Sequence, residues 1–141
     1  MKLLTGVDAA VIDWLAAKHG AHVHQQPRAI LAVVDALDCI RGAYIITWQH
    51  DRTAELHIYG TATPDTTKAL FFYAFNGCRI WRLTARISCS NKRMKRIVPR
   101  FGFTFQCVEK DFYGPGEDAA AFYMLPHQCR WIAHELDVQV G

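Results

Sequence analysis

The sequence predicts an α/β (α+β) domain built on one mixed, mostly antiparallel sheet with helices on both faces. Three observations lead there. Segments with a two-residue hydrophobic period alternate with segments of helical period. In two places strand-like segments follow each other through short turns, which implies antiparallel pairs. Between residues 53 and 89 two such segments are separated by a helix, which implies a parallel, right-handed crossover. The chain has 141 residues, 51% of them hydrophobic and 21% charged. That is enough for one core and one domain, 1–141.

Val7, Val11, Trp14 and Leu15 recur at helical spacing around Asp8, and Gly20 is a natural left-handed stop. A helix over residues 8–19 follows. His22 to Pro27 reads as a connector. Arg28 to Asp35 and Ile40 to Trp48 are rich in Ile, Val, Ala and Tyr and form a hairpin around Leu37-Asp38. His50-Asp51-Arg52 turns the chain into a third strand, Thr53 to Tyr59. Gly60 to Thr67, GTATPDTT, is small and polar and sits at a strand-to-helix junction. Asp65, Thr66 or Thr67 can cap a helix from Thr67 to about Asn76, closed by Gly77. That helix, KALFFYAFN, is apolar on nearly every side and is expected between layers.

Arg79 to Cys89 alternates, with Trp81, Leu83, Ala85, Ile87 and Cys89 on one face. Ile80, Arg82, Thr84, Arg86 and Ser88 occupy the other. Ser90 and Asn91 are cap residues for a short basic helix, Lys92 to Phe101, which Gly102 ends. A helix start crowded with cations is a ready anion site. Thr104 to Phe112 and Ala119 to Leu125 flank a turn at Tyr113–Asp118. Pro126 to Glu135 reads as a short terminal helix or irregular docked tail carrying Trp131.

Several function classes recede on composition. No segment approaches the roughly 20 apolar residues of a membrane-spanning helix. Asp8 and Asp13 interrupt the N-terminal apolar run, which reads as structural rather than as a signal peptide. Cys39, Cys78, Cys89, Cys107 and Cys129 are odd in number and scattered. They argue against a disulfide framework or thiolate zinc site and for a reducing, cytoplasmic setting. His19, His22 and His24 form H-x-x-H-x-H, but no carboxylate or cysteine stands at ligand spacing beside them. No metal site is expected. Net charge is +3, yet Lys92, Arg93, Lys95, Arg96 and Arg100 fall in one short run. Charge that local suits a phosphate-bearing ligand better than a general polyanion, and the run lacks the interleaved aromatics of a nucleic-acid surface.

Over residues 53–125 the chain resembles the GNAT (Gcn5-related N-acetyltransferase) superfamily. TAELHIYG stands as the family's fourth strand and TATPDTT as the loop opening a helix. LTARISCSN follows, then the spacing from Asn91 through Met94 to Gly102-Phe103, then the closing hairpin EKDFYGPGEDAAAFYML. The segment FYMLPHQCRWI is also similar to small GNAT-like proteins of tailed bacteriophages.

The resemblance implies acetyl-CoA as co-substrate, bound where the fourth and fifth strands splay, and direct acetyl transfer to an amine on a small molecule or protein. It implies a pyrophosphate cradle of Tyr59, Gly60, Thr61, Ala62, Thr63, Asp65, Thr66, Thr67 and Lys68. Asn91 and Arg93 join it, with Lys92, Lys95 and Arg96 available to the adenosine 3′-phosphate. Glu55, His57 and Tyr59 share one strand face by period two, and the resemblance places them at the reacting centre as an acid–base pair with a tyrosine above. Two positions depart from the family. Pro64 and Asp65 stand within the loop where an Arg/Gln-x-x-Gly-x-Gly/Ala pattern is usual, and Val98 stands where many members carry a tyrosine. The alternative is a non-catalytic GNAT-like binding or virion-associated module of a phage. A homodimer, in host cytoplasm or virion, is compatible with either.

Overall fold

In a computed structural model, which describes residues 1–21 and 28–132, seven strands form one sheet. They are β1 (Lys2–Leu4), β2 (Arg28–Val34), β3 (Ile40–His50), β4 (Thr53–Gly60), β5 (Arg82–Ser88), β6 (Thr104–Gly114) and β7 (Glu117–Met124). Their order across the sheet is β1-β2-β3-β4-β5-β7-β6. Every neighbouring pair is antiparallel except β4 and β5, which are parallel. The fold class expected from the sequence is the one observed.

Period two divides the strand side chains between two cores. On one face Tyr44, Ile46, Ala54, Leu56, Leu83 and Ala85 pack with Leu70 and Phe71 of α2 (Pro64–Phe72) and Val98 of α3 (Lys92–Arg100). On the other, Ile30, Ala32, Ala43 and Ile45 pack with Val11 and Leu15 of α1 (Asp8–His19). Gly20 closes α1 in the left-handed conformation at φ 60°, where a Cβ would be strained.

Some boundaries differ from expectation, each for a local reason. α2 begins at Pro64, three residues earlier than Thr67, because Thr63 is the extended cap and its side chain accepts from the Thr66 N–H. Proline is at home in the first helical turn, where its missing N–H has no intrahelical acceptor anyway. α2 then widens into a π turn at Tyr73–Gly77. β5 begins at Arg82 rather than Arg79. Arg79 takes a positive φ of 56°, and Trp81 is half exposed. The N–H groups of Trp81 and Arg82 both reach the Arg52 carbonyl, so this segment is a loop tied to the β3–β4 turn. β6 and β7 run on through Tyr113 and Gly114, leaving only Pro115-Gly116 between Gly114 and Glu117. β1, absent from the sequence reading, adds a three-residue edge to β2.

Pro126–Gln128 forms a single 3₁₀ turn. Trp131 docks back by donating from Nε1 to the Phe101 carbonyl at 2.6 Å, with its ring 6.4 Å from that of Phe71. The rest of the expected terminal element, with His22 and His24 of the histidine motif, lies outside the described residues. All five cysteines are free thiols. Among the described residues no group of three potential ligands could hold a metal ion, and no helix is long and apolar enough to cross a membrane.

Phe71 of α2 is fully buried between Phe103 and the docked Trp131. Phe71→Ala is expected to cost about 3–5 kcal/mol of stability by lost transfer energy and cavity formation. Denaturant unfolding should show the midpoint falling with an unchanged slope.

Candidate active site

β4 and β5 pair over only three positions, Thr53 with Arg82, Ala54 with Leu83 and Glu55 with Thr84. Past Glu55, β4 stays with β3 as far as Gly60. β5 stays with β7 as far as Ser88. The two strands therefore part, and a cleft of about 570 Å³ opens between them. Among the described residues, the β5-facing backbone groups of β4 beyond Glu55 have no strand partner. Leu56, Ile58, Ala85, Met94 and Val98 line the cleft on the α2/α3 side. Glu55, His57, Tyr59 and Arg86 line it on the α1 side, with Phe112 and Tyr113 from β6.

A chain of charged groups crosses the opening. Arg86 donates from Nη1 to Glu55 Oε1 at 2.5 Å and from Nε to Glu109 Oε1 at 2.7 Å. Gln49 Nε2 donates to the same Glu55 oxygen at 3.0 Å. The other oxygen, Oε2, lies 3.6 Å from His57 Nε2. The guanidinium carbon sits 5.2 Å from the centre of the Phe112 ring. Burial works against the Arg86 charge, but the Glu109 hydrogen bond and the charge of Glu55 outweigh it and hold its pKa above the ordinary value. Burial first, and the Glu55 carboxylate second, push the Tyr59 phenol upward. Tyr113 is raised by the same two causes in the same order, so both phenols keep their protons at neutral pH.

The start of α2 satisfies most of its own donors. Thr63 and Thr66 form a reciprocal capping box, and the Thr67 N–H reaches the Thr63 carbonyl at 2.8 Å. Pro64 has no N–H to offer, which leaves the Asp65 amide as the outward donor of the first turn. The hydroxyls of Thr66 and Thr67 point inward, 3.2 and 3.5 Å from the Tyr44 hydroxyl, and both residues are buried. Lys68 is exposed one turn further on.

The preceding loop is held close to β3. The Thr61 N–H donates to the Arg41 carbonyl at 3.0 Å. A Cβ on Gly42 would come within 2.3 Å of the Thr61 carbonyl oxygen, so only glycine permits this approach. Gly60 itself has φ +70°.

Of the residues singled out from sequence, Glu55, His57, Tyr59 and Asn91 come together around the cleft. Asn91 also caps α3, its Oδ1 accepting from the Met94 N–H at 3.2 Å. Gly60 ends β4, and Thr61, Ala62, Thr63, Thr66, Thr67 and Lys68 follow it; all of them are outside the cleft lining. Arg93 is exposed on the first turn of α3 and is likewise not in the lining. Sequence reasoning passed over Gln49, Arg86, Glu109 and Tyr113. Arg86 stood on the polar face of its strand, but only the parallel register reveals that its side chain comes within reach of Glu55.

No protein-family model and no curated protein matches the chain. Solved structures do match, at low identity. One is a chimera of the spermidine N-acetyltransferase SpeG from Vibrio cholerae with hSSAT, at TM-score 0.70 and 15% identity, covering 90% of this chain and 97% of that one. Mutant forms of the spermidine/spermine N-acetyltransferase SpeG from Vibrio cholerae match at TM-score 0.65 and 16% identity, covering 84% and 76%. The dodecameric spermidine N-acetyltransferase of the same organism, in an intermediate state, matches at TM-score 0.63 and 16% identity, covering 83% and 74%. The fold is that of the GNAT acetyltransferases.

Because Thr63 satisfies the first turn of α2, Thr63→Ala is expected to lower stability by about 1 kcal/mol. A urea unfolding midpoint indistinguishable from the parent would contradict the cap.

Proposed function

We propose that this chain is an acyl-CoA-dependent N-acetyltransferase, moving the acetyl group of acetyl-CoA to an amine by direct attack in a ternary complex. The observation that carries this reading is the early end of the β4–β5 pairing. It opens a cleft with Glu55, His57 and Tyr59 on one wall and unpartnered strand backbone along the side. Backbone amides in that state want donors and acceptors in return, and the amide-rich arm of acetyl-CoA supplies both. The apolar wall of Leu56, Ile58 and Val98 suits the arm's methylenes. The GNAT fold and its acetyltransferase neighbours point the same way.

Each residue then has a task. Glu55 Oε2 takes the ammonium proton of the acceptor, directly or through His57, freeing the amine lone pair. The amine nitrogen attacks the thioester carbonyl carbon, the adduct nitrogen sheds its surplus proton to solvent, the C–S bond breaks, and the departing thiolate receives a proton. Tyr59, whose phenol stays protonated, supplies it. Val98, where many GNAT members carry a tyrosine, is buried and apolar, so the proton must come from elsewhere.

Toward the phosphates we assign Gly60, Thr61, Ala62, Thr63, Thr66, Thr67 and Lys68 at the start of α2, with Asn91 and Arg93 on the α3 side. Lys68 contributes charge, and the threonines act chiefly by shaping the turn. The acceptor is an amine, as it is for the spermidine acetyltransferases. Self-association fits the exposed edge strand β6, and free thiols fit a reducing cytoplasm.

The self-capped start of α2, with Pro64 and Asp65 in it, favours a second reading in one respect. A phage module that keeps the fold for binding alone would have no need of outward amides at this turn. One measurement separates the two. Acetyl-CoA at about 100 times its dissociation constant stabilises a true binder by about 2.7 kcal/mol, a shift of several degrees in Tm for a chain of this size. Should neither that shift nor binding heat appear, the enzyme reading falls. Where binding is present, Glu55→Gln is expected to lower kcat by about 10²-fold or more with the thermal shift retained.

A further inference from the structure

We infer that Arg86 is the positioning residue for the proposed base, fixing both where the Glu55 carboxylate sits and which of its oxygens faces the reaction. The inference rests on the acetyltransferase reading and deepens it. In the parallel register Thr84 is the last residue of β5 opposite β4, and its partner is Glu55. Arg86 lies two residues further along the same face, where no backbone bond joins the two strands. Its side chain reaches back across the gap to Glu55 and outward to Glu109 on β6.

β6 does not neighbour β5, since β7 runs between them. The guanidinium bridges that strand because β7 is narrow there. Ala121 lies opposite Arg86, and Ala119 lies opposite Glu109. Both are buried, and their methyl groups leave room for an ion pair above them. Phe112 covers the guanidinium from the β6 side. Arg86 is thus held by Glu109 and Phe112, and it holds Glu55 in turn.

Two donors converge on one carboxylate oxygen, Nη1 of Arg86 and Nε2 of Gln49, both on Oε1. That spends Oε1 and turns Oε2 toward His57. Glu55 is only 9% exposed, and a carboxylate so far removed from water needs a partner for its oxygens. Arg86 supplies one in a rigid planar fork, which fixes direction as well as charge. A base displaced by even an ångström from its proton loses about two orders of magnitude in rate.

The test is steady-state thiol release from acetyl-CoA with spermidine, L-lysine and n-butylamine as acceptor probes. Arg86→Met should lower kcat by about 10²-fold while the KM for acetyl-CoA stays within about twofold and the acetyl-CoA thermal shift persists. Arg86→Lys, which keeps the charge but loses the fork, should fall between parent and Arg86→Met. The deciding comparison is made in the Glu55→Gln background. There Arg86→Met should cost nothing further, because a residue acting only through Glu55 has nothing left to position. If Arg86→Met does not fold, the same cycle is run with Arg86→Lys. Additive losses, or a single variant as fast as the parent, overturn the positioning role while leaving the enzyme reading intact. A parent protein that neither binds acetyl-CoA nor releases thiol overturns both.

Discussion

The sheet is joined at its centre by three parallel residue pairs, and the cleft follows from that short seam. β4 and β5 each keep a full ladder with an outer neighbour, so their separation leaves only the backbone groups that face the cleft without a strand partner. What keeps the two halves from drifting is the core beneath them. Leu70 and Phe71 of α2 are fully buried against residues of both β4 and β5. Burying a side chain of that kind contributes about 1.5–3 kcal/mol, and the same cluster holds more than a dozen further buried residues. The ion-pair chain above the seam adds little to that sum, because partly exposed pairs are worth roughly 0–1 kcal/mol net. Its contribution is orientation. Stability and alignment at this site come from opposite faces of the sheet.

Charge is distributed to match. Glu55, Glu109 and Arg86 form one connected network on the α1 face of the sheet, so that side of the cleft carries one carboxylate in excess over the guanidinium. The exposed cations of α3, among them Lys92, Arg93 and Arg96, are on the opposite face, beside the helix start that Asn91 caps. A molecule with a negatively charged tail and a neutral reactive head suits that polarity. The turn at Thr63–Thr67 opens α2, on the same face as α3, and is built from donors and acceptors that satisfy each other.

Much of this was legible in the residues, and the exceptions share a cause. Gly20, Asn91 and the alternation of β2 to β5 carry strong local signals, because caps and strand faces depend on neighbours in sequence. The start of α2 was misjudged because Pro64 reads as a loop residue unless Thr63 is known to be extended. β5 was drawn too long because Trp81 and Ile80 continue the alternation, while the strand's real beginning is set by Arg52 across a turn. β1 is three residues long, too short for periodicity to register. Glu55, His57 and Tyr59 are placed together by the strand face they share, and Asn91 by its cap spacing, and all four line the cleft. Arg86 and Glu109 were not legible, since charges that meet through a parallel register and over an intervening strand leave no trace in sequence spacing.

The run Ala119-Ala120-Ala121 in β7 looks inert, yet it links the β6–β7 hairpin to the geometry of the cleft. Two of its methyl groups form the floor beneath the guanidinium and the third faces the opposite core. Alanine is a poor strand former, so its use three times over in a central strand runs against local preference. The strand gives up intrinsic propensity in return for clearance. Variation among related chains should therefore be narrow at residues 119 and 121 even though neither lines the cleft. A chain in which larger residues had settled there could keep the same topology and the same glutamate, and still have lost the alignment between them.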